Sequence, residues 1–288
     1  MLRYGFEPFA TGLHPGTDAE PACQTHLRLL PFMMNPEQME MRKKIRVRLK
    51  AAGIHLLASM AIAALTAAWV FGVWYPGPLA AAAGVSGIFL LLLLIDVSLG
   101  PLLTGLVYDP RKPELRRDLI IIVLLQLSAL AYGIFNVAEG RPAWLAYNVD
   151  RFDMVRVVEI DLRQSERVPD AYQAPPWFGP QWVSARIPNG IEERNDILLE
   201  SAAGGFDVPH RPYLYRPVDQ AWPEIKERVR PLTLLADYNP SSRVDNVLSR
   251  HPRADGWVPL KARDRSMVVL LDLAGREIVD IVDLRPWD

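Results

Sequence analysis

The chain has 288 residues, half of them apolar, with 32 basic and 33 acidic side chains and a formal net charge of -1. That balance excludes a general polyanion binder, which needs a clustered basic excess over a whole domain, so no nucleic-acid partner is expected. A single cysteine, Cys23, excludes an intramolecular disulfide, a CxxC redox pair and a thiolate zinc cluster.

Residues 1 to 40 are rich in Gly, Pro, His and Thr and carry no apolar segment before a cleavage site, so they read as a disordered leader rather than a secretory signal. Met33, Met34, Met39 and Met41, just before the basic cluster, offer alternative translation starts. From residue 41 to 139 the sequence reads as a basic segment followed by three membrane spans. Ile54 to Trp74 has no formal charge and, at 1.5 Å per residue, is long enough to cross a hydrocarbon layer about 30 Å thick. Gly87 to Val107 carries Asp96 at its centre. Its many Leu, Ile, Phe and Val positions, each worth about -0.3 to -0.6 kcal/mol, outweigh the roughly +2.5 to +3.5 kcal/mol of the aspartate. Leu119 to Val137 contains Gln126, Ser128 and Asn136 but no charge.

Lys and Arg near the span ends set orientation. Arg42, Lys43, Lys44, Arg46, Arg48 and Lys50 precede the first span, and Arg111, Lys112, Arg116 and Arg117 lie between the second and third, whereas residues 75 to 86 have none. The N-terminus is therefore expected in the cytoplasm and everything after about Glu139 on the far side. Trp69, Trp74, Tyr75, Trp144 and Tyr147 suit the outer interface.

Residues 140 to 288 mix acidic and basic positions like the surface of a folded domain, expected to be α+β. Strands are expected at Trp144 to Val149, Phe152 to Ile160 and Trp182 to Ile187, and helices at Ile191 to Ser201 and Glu224 to Val229. Asn239 before Pro240 predicts an N-cap for a short helix ending before Pro252. Met267 to Leu273 and Glu277 to Leu284 predict a closing hairpin across Ala274 and Gly275.

Asp96 is the strongest functional signal, because a carboxylate at mid-bilayer marks a polar contact or a pathway. Gln126, at similar depth on the next span, is its expected hydrogen-bond partner. Ala64, Ala68 and Gly72 form a small-residue stripe on the first span, with Ala129 and Gly133 on the third as a matching face, so that packing within the chain is expected. The Asp150 and Asp153 pair reads as turn charges beside Arg151. No P-loop, GxGxxG, HExxH or GxSxG occurs, so no catalytic residue, metal or cofactor is indicated.

The order Gly53-Ile54-His55-Leu56-Leu57, Trp74-Tyr75-Pro76-Gly77-Pro78-Leu79, Asp96, then Leu99-Gly100-Pro101-Leu102-Leu103-Thr104 resembles the type IV pilin accessory proteins of the TfpX/TfpZ kind. Gln126-Leu127, Ala131-Tyr132-Gly133, Gly140-Arg141-Pro142, Trp144 and Asn148-Val149-Asp150-Arg151-Phe152 continue the pattern. The resemblance implies a multi-pass protein of a bacterial inner membrane with a periplasmic C-terminal domain. It implies assistance to assembly or surface display of a cognate type IV pilin through non-catalytic contact, together with other pilus-assembly proteins. The competing expectation is an intramembrane enzyme or carrier that handles a lipid-linked substrate through Asp96.

Overall fold

A computed structural model describes residues 35–288. Most of the expected leader, with the start-site question at Met33 and Met34, therefore lies outside the described residues. Asn35 opens the first helix: its side chain accepts from the Glu37 amide, and Pro36 takes the first-turn position where a missing N–H costs nothing. Helix α1 (Pro36–Trp69) then runs without a break through the basic segment, so the last residues of the expected leader are helical, and it continues as a π-helical turn over Val70–Trp74. A tight turn through Gly77, at φ +60°, leads to the short α2 (Leu79–Ala83), which ends on Gly84 in the left-handed region. Helices α3 (Val85–Val107) and α4 (Leu115–Glu139) form an antiparallel pair. The long helical runs Pro36–Trp74, Val85–Val107 and Leu115–Glu139 are each long and apolar enough to cross a membrane.

The remaining chain builds one seven-stranded mixed sheet in the order β4-β3-β1-β2-β5-β6-β7. Its strands are β1 (Pro142–Asn148), β2 (Arg151–Arg156), β3 (Gln181–Ala185), β4 (Tyr215–Pro217), β5 (Gly256–Lys261), β6 (Met267–Asp272) and β7 (Glu277–Val282). The pairs β1 with β3 and β2 with β5 are parallel, and the others antiparallel. Helices α5 (Ile191–Ala202), α6 (Trp222–Arg228), α7 (Leu235–Tyr238) and α8 (Ser241–Leu248) surround it. Both faces are covered: Leu145, Phe152 and Met267 pack with Trp222 and Ile225 in one cluster, while Trp144, Ala146 and Val183 pack with Ile197 and Tyr215 in another. Helix α2 joins the first cluster through Leu79 and Ala82, and Ala82 accepts the main-chain N–H of Asp264. The connection between the first two long helices is thus part of the sheet domain's core.

Four local expectations are corrected. The second strand stops at Arg156 and a 3₁₀ turn follows, because the Glu159 carboxylate binds both the main-chain N–H and the guanidinium of Arg156 and folds the chain back. Trp144 and Tyr147 are not interfacial; β1 is buried along its whole length. Asn239 does not cap α8. Its amide donates to the carbonyls of Leu235 and Arg285 and accepts from the Arg285 N–H, tying the C-terminus to α7. The closing hairpin forms, but its strands end at Asp272 and Val282 rather than Leu273 and Leu284, and the Asp272 side chain accepts the Gly275 N–H within the connection.

Candidate functional site

Two polar or aromatic constructions stand out, one among the long helices and one where they meet the sheet domain. Among the helices, α3 and α4 pack so closely at Gly133 that a Cβ there would overlap Leu92, and a Cβ on Gly100 would overlap the Gln126 amide. This antiparallel register places Gln126 opposite Gly100 rather than opposite Asp96. Gln126 therefore reaches one turn back and donates to the Asp96 main-chain carbonyl at 2.9 Å, not to its carboxylate as expected. The donation falls beside the Pro101 interruption, which removes a helix N–H from the same stretch. The other amide atom, Gln126 Oε1, is buried without a partner.

Asp96 and Gln126 line a cavity of about 450 Å³ between α1 and the α3–α4 pair, together with His55 and Ser59. His55, named only within a motif run and given no role there, lies 2.6 Å from Thr104 across the same space, Nδ1 to Oγ1. The Gln126 oxygen is closed off against Gly100, which leaves the Asp96 carboxylate as an acceptor, so the cavity suits a donor group or a water rather than an anion.

The small-residue stripe divides differently from the expectation. Ala64, Ala68 and Gly72 point away from the other helices, and a Cβ added at Gly72 meets nothing. It is the adjacent face of α1, with Ala63, Ala67 and Phe71, that packs against α3 and α4. Ala129 is exposed as well, whereas Gly133 serves the contact with Leu92.

At the junction, motif positions far apart in sequence are neighbours. Trp74 ends the π-turn and is buried; Tyr75 beside it donates its hydroxyl to the Val137 carbonyl at the end of α4. Arg141 is buried too, donating to the Ala138 carbonyl at 2.8 Å with its guanidinium 5.9 Å from the Trp74 ring and 4.2 Å from the Trp177 ring. Burial disfavours its charge and lowers its pKa. Pro76, Gly77 and Pro78 make the turn that delivers α2 to the sheet. Trp177, Phe178 and Gly179 complete the junction, and sequence reasoning missed them because only the fold brings them to Trp74.

Asn148, Asp150 and Arg151 lie at the other end of β1, in the hairpin to β2. Val149 occupies the first loop position at φ +62°, where glycine is usual, and its carbonyl accepts the Tyr147 hydroxyl. Arg151 pairs with both Asp150 and Asp153, but only Asp150 lies in the turn, since Asp153 is buried within β2. Burial outweighs Arg151 and Lys261 and raises the Asp153 pKa.

The family model described as "Fimbrial assembly protein FimB" matches residues 43–84, which include Trp74, Pro76, Gly77 and Pro78. A "Fimbrial assembly protein, serogroup I" of Dichelobacter nodosus is 34% identical over 185 residues, 64% of this chain and 72% of that protein. The chain belongs to the fimbrial assembly protein family. The serogroup E1 protein of the same organism is 32% identical over the same shares, and that of serogroups C1 and C2 is 41% identical over 103 residues, 35% of this chain and 79% of the relative. No solved structure matches the chain. The family bears out the resemblance to pilus accessory proteins, and its names denote assembly rather than catalysis.

Proposed function

We propose that the protein is an inner-membrane accessory that assists assembly or surface display of one cognate type IV fimbrial subunit by non-catalytic contact. Family membership carries this reading, joined to an architecture of three long apolar helices bearing a folded domain. The Lys and Arg bias puts the N-terminus and residues 108–118 in the cytoplasm and the sheet domain in the periplasm. Within the bilayer, the outward stripe of Ala64, Ala68 and Gly72 lets a subunit's apolar helix approach closely. Outside it, α5 presents exposed Ile191, Leu198 and Leu199 to the subunit's globular part. The contact is weak enough to release the subunit into the growing fibre.

Deleting the protein should remove surface fimbriae built from the cognate subunit and affect an unrelated subunit less. Exchanging residues 140–288 for those of a relative that serves another subunit should move the preference. Equal loss of every subunit type, or a preference that travels with residues 54–137, would sink the reading.

A further inference from the structure

We propose that the loop Pro175–Pro180 is a lipid wedge: it sinks Phe178 into the outer edge of the bilayer and holds the sheet domain against the membrane at a fixed height. The proposal rests on the reading that α1, α3 and α4 cross a bilayer, and four observations of the loop itself carry it further.

Depth comes first. The Phe178 ring meets Trp69 edge-on, with centroids 6.1 Å apart. Trp69 is the last residue of α1, one π-helical turn before Trp74. The Phe178 ring thus reaches back along the helix from a loop whose main chain is tied at Val73 and Trp74.

Exposure points to what covers the loop. Phe178 is 83% exposed, Trp177 58% and Trp69 44%, forming an aromatic surface continuous with the apolar flank of α1. Residues 171–185 carry no charge, although charges are dispersed through the rest of the domain. An uncharged aromatic surface that continues an apolar helix matches hydrocarbon and the interfacial layer, where Trp and Phe are favoured.

The backbone suits that depth, because hydrocarbon offers no partner to a free N–H or C=O. Pro175, Pro176 and Pro180 have no N–H. The Trp177 carbonyl accepts the Trp74 indole N–H at 3.1 Å, and the Pro176 carbonyl accepts from the Arg141 guanidinium at 3.4 Å.

The loop is also held in place. Arg141 stacks on the Trp177 ring, and Gly179, at φ +95°, lies so close to α1 that an added Cβ would sit 3.0 Å from the Val73 carbonyl oxygen. Val73 belongs to the π-turn, so the irregular end of α1 is shaped to the loop.

The test uses the full chain with Cys23→Ser, reconstituted in vesicles of phosphatidylethanolamine and phosphatidylglycerol. An environment-sensitive fluorophore is attached in turn at Phe178→Cys, at Leu94→Cys in the middle of α3, and at Asn195→Cys on the exposed face of α5. The wedge predicts that the Phe178→Cys label is quenched by lipids spin-labelled near the headgroup end of the chain and resists iodide several-fold better than the Asn195→Cys label. Iodide quenching equal to that at Asn195→Cys overturns the wedge. So does a label shielded from both quenchers, which would mean that protein, not lipid, covers the loop. If the Leu94→Cys label also escapes lipid quenching, the bilayer reading itself fails and the wedge falls with it.

Discussion

Asp96 shows how a correct residue can carry the wrong bond. Its position in an apolar run was legible, but the helix register that puts Gln126 opposite Gly100 is fixed by packing at Gly133 and Leu92, which no single run reveals. Because Gln126 binds the main chain, Gln126→Leu should cost about 0.6 kcal/mol, an average interhelical hydrogen bond in a membrane protein, read by unfolding in detergent micelles. Asp96→Asn should keep both abundance and fimbriation. Loss of fimbriation from an abundant, correctly inserted Asp96→Asn protein would instead favour chemistry on a lipid-linked substrate, with His55 in the same cavity as a second group. In the sheet domain, two aspartates should respond with opposite sign. Asp161 is buried, hydrogen-bonded by Arg163 and paired with Arg211, which hold its carboxyl below the usual carboxylate range. Its folded pKa lies below the unfolded one, so its contribution is complete above about pH 4 and is lost as pH falls through the folded value. Asp161→Asn should therefore destabilise the domain by about 2 kcal/mol at neutral pH, with the difference shrinking in acid. Asp153 has the reverse shift, since burial raises its pKa and charging it opposes folding above the unfolded value. Asp153→Asn should raise the unfolding temperature at neutral pH and lose that advantage in acid. Tryptophan fluorescence during heating at several pH values reads both.

At the scale of elements, the apolar helices were readable because bilayer-length runs need no tertiary context, and the β6–β7 hairpin because two apolar β-branched runs flank a short connection containing Gly275. Strand β1 misled for a physical reason: an aromatic segment directly after a span suits an interface as well as a doubly covered central strand, and only α5 and α6 on opposite faces decide between them. Strand β5 was missed because Pro259 argues against a central strand. Its ladder with β2 begins only at Leu260, so the proline lies beyond that pairing. The role of α2 was also hidden, since four consecutive alanines read as an ordinary connection until Leu79 and Ala82 are seen in the core. The two kinds of small residue on the helices separate by mutation. Gly133→Leu would drive a side chain into Leu92 and should lower protein abundance by splaying α3 from α4. Ala64→Leu with Ala68→Leu, on the outward face, should leave abundance unchanged while reducing fimbriation. Immunoblots of membranes beside counts of surface fimbriae distinguish the two outcomes.

For the whole molecule, three helices long and apolar enough to span a membrane meet the sheet domain at a junction clamped by Trp74 and Arg141, and the proposed function has that domain present a contact surface to a fimbrial subunit. Orientation is the first requirement. Alkaline phosphatase fused after Asp288 should be active and after Arg117 inactive, and the reverse would put the sheet domain on the side where an exported subunit's globular part is absent. Contact is the central claim, and site-specific photo-cross-linking in living, fimbriated cells tests it most directly. A photoreactive residue at Ala64, Ala68 or Leu198 should yield a covalent adduct of this chain with the cognate fimbrial subunit, recognised by antibodies to both. Normal fimbriation with no such adduct from any of the three positions would contradict it.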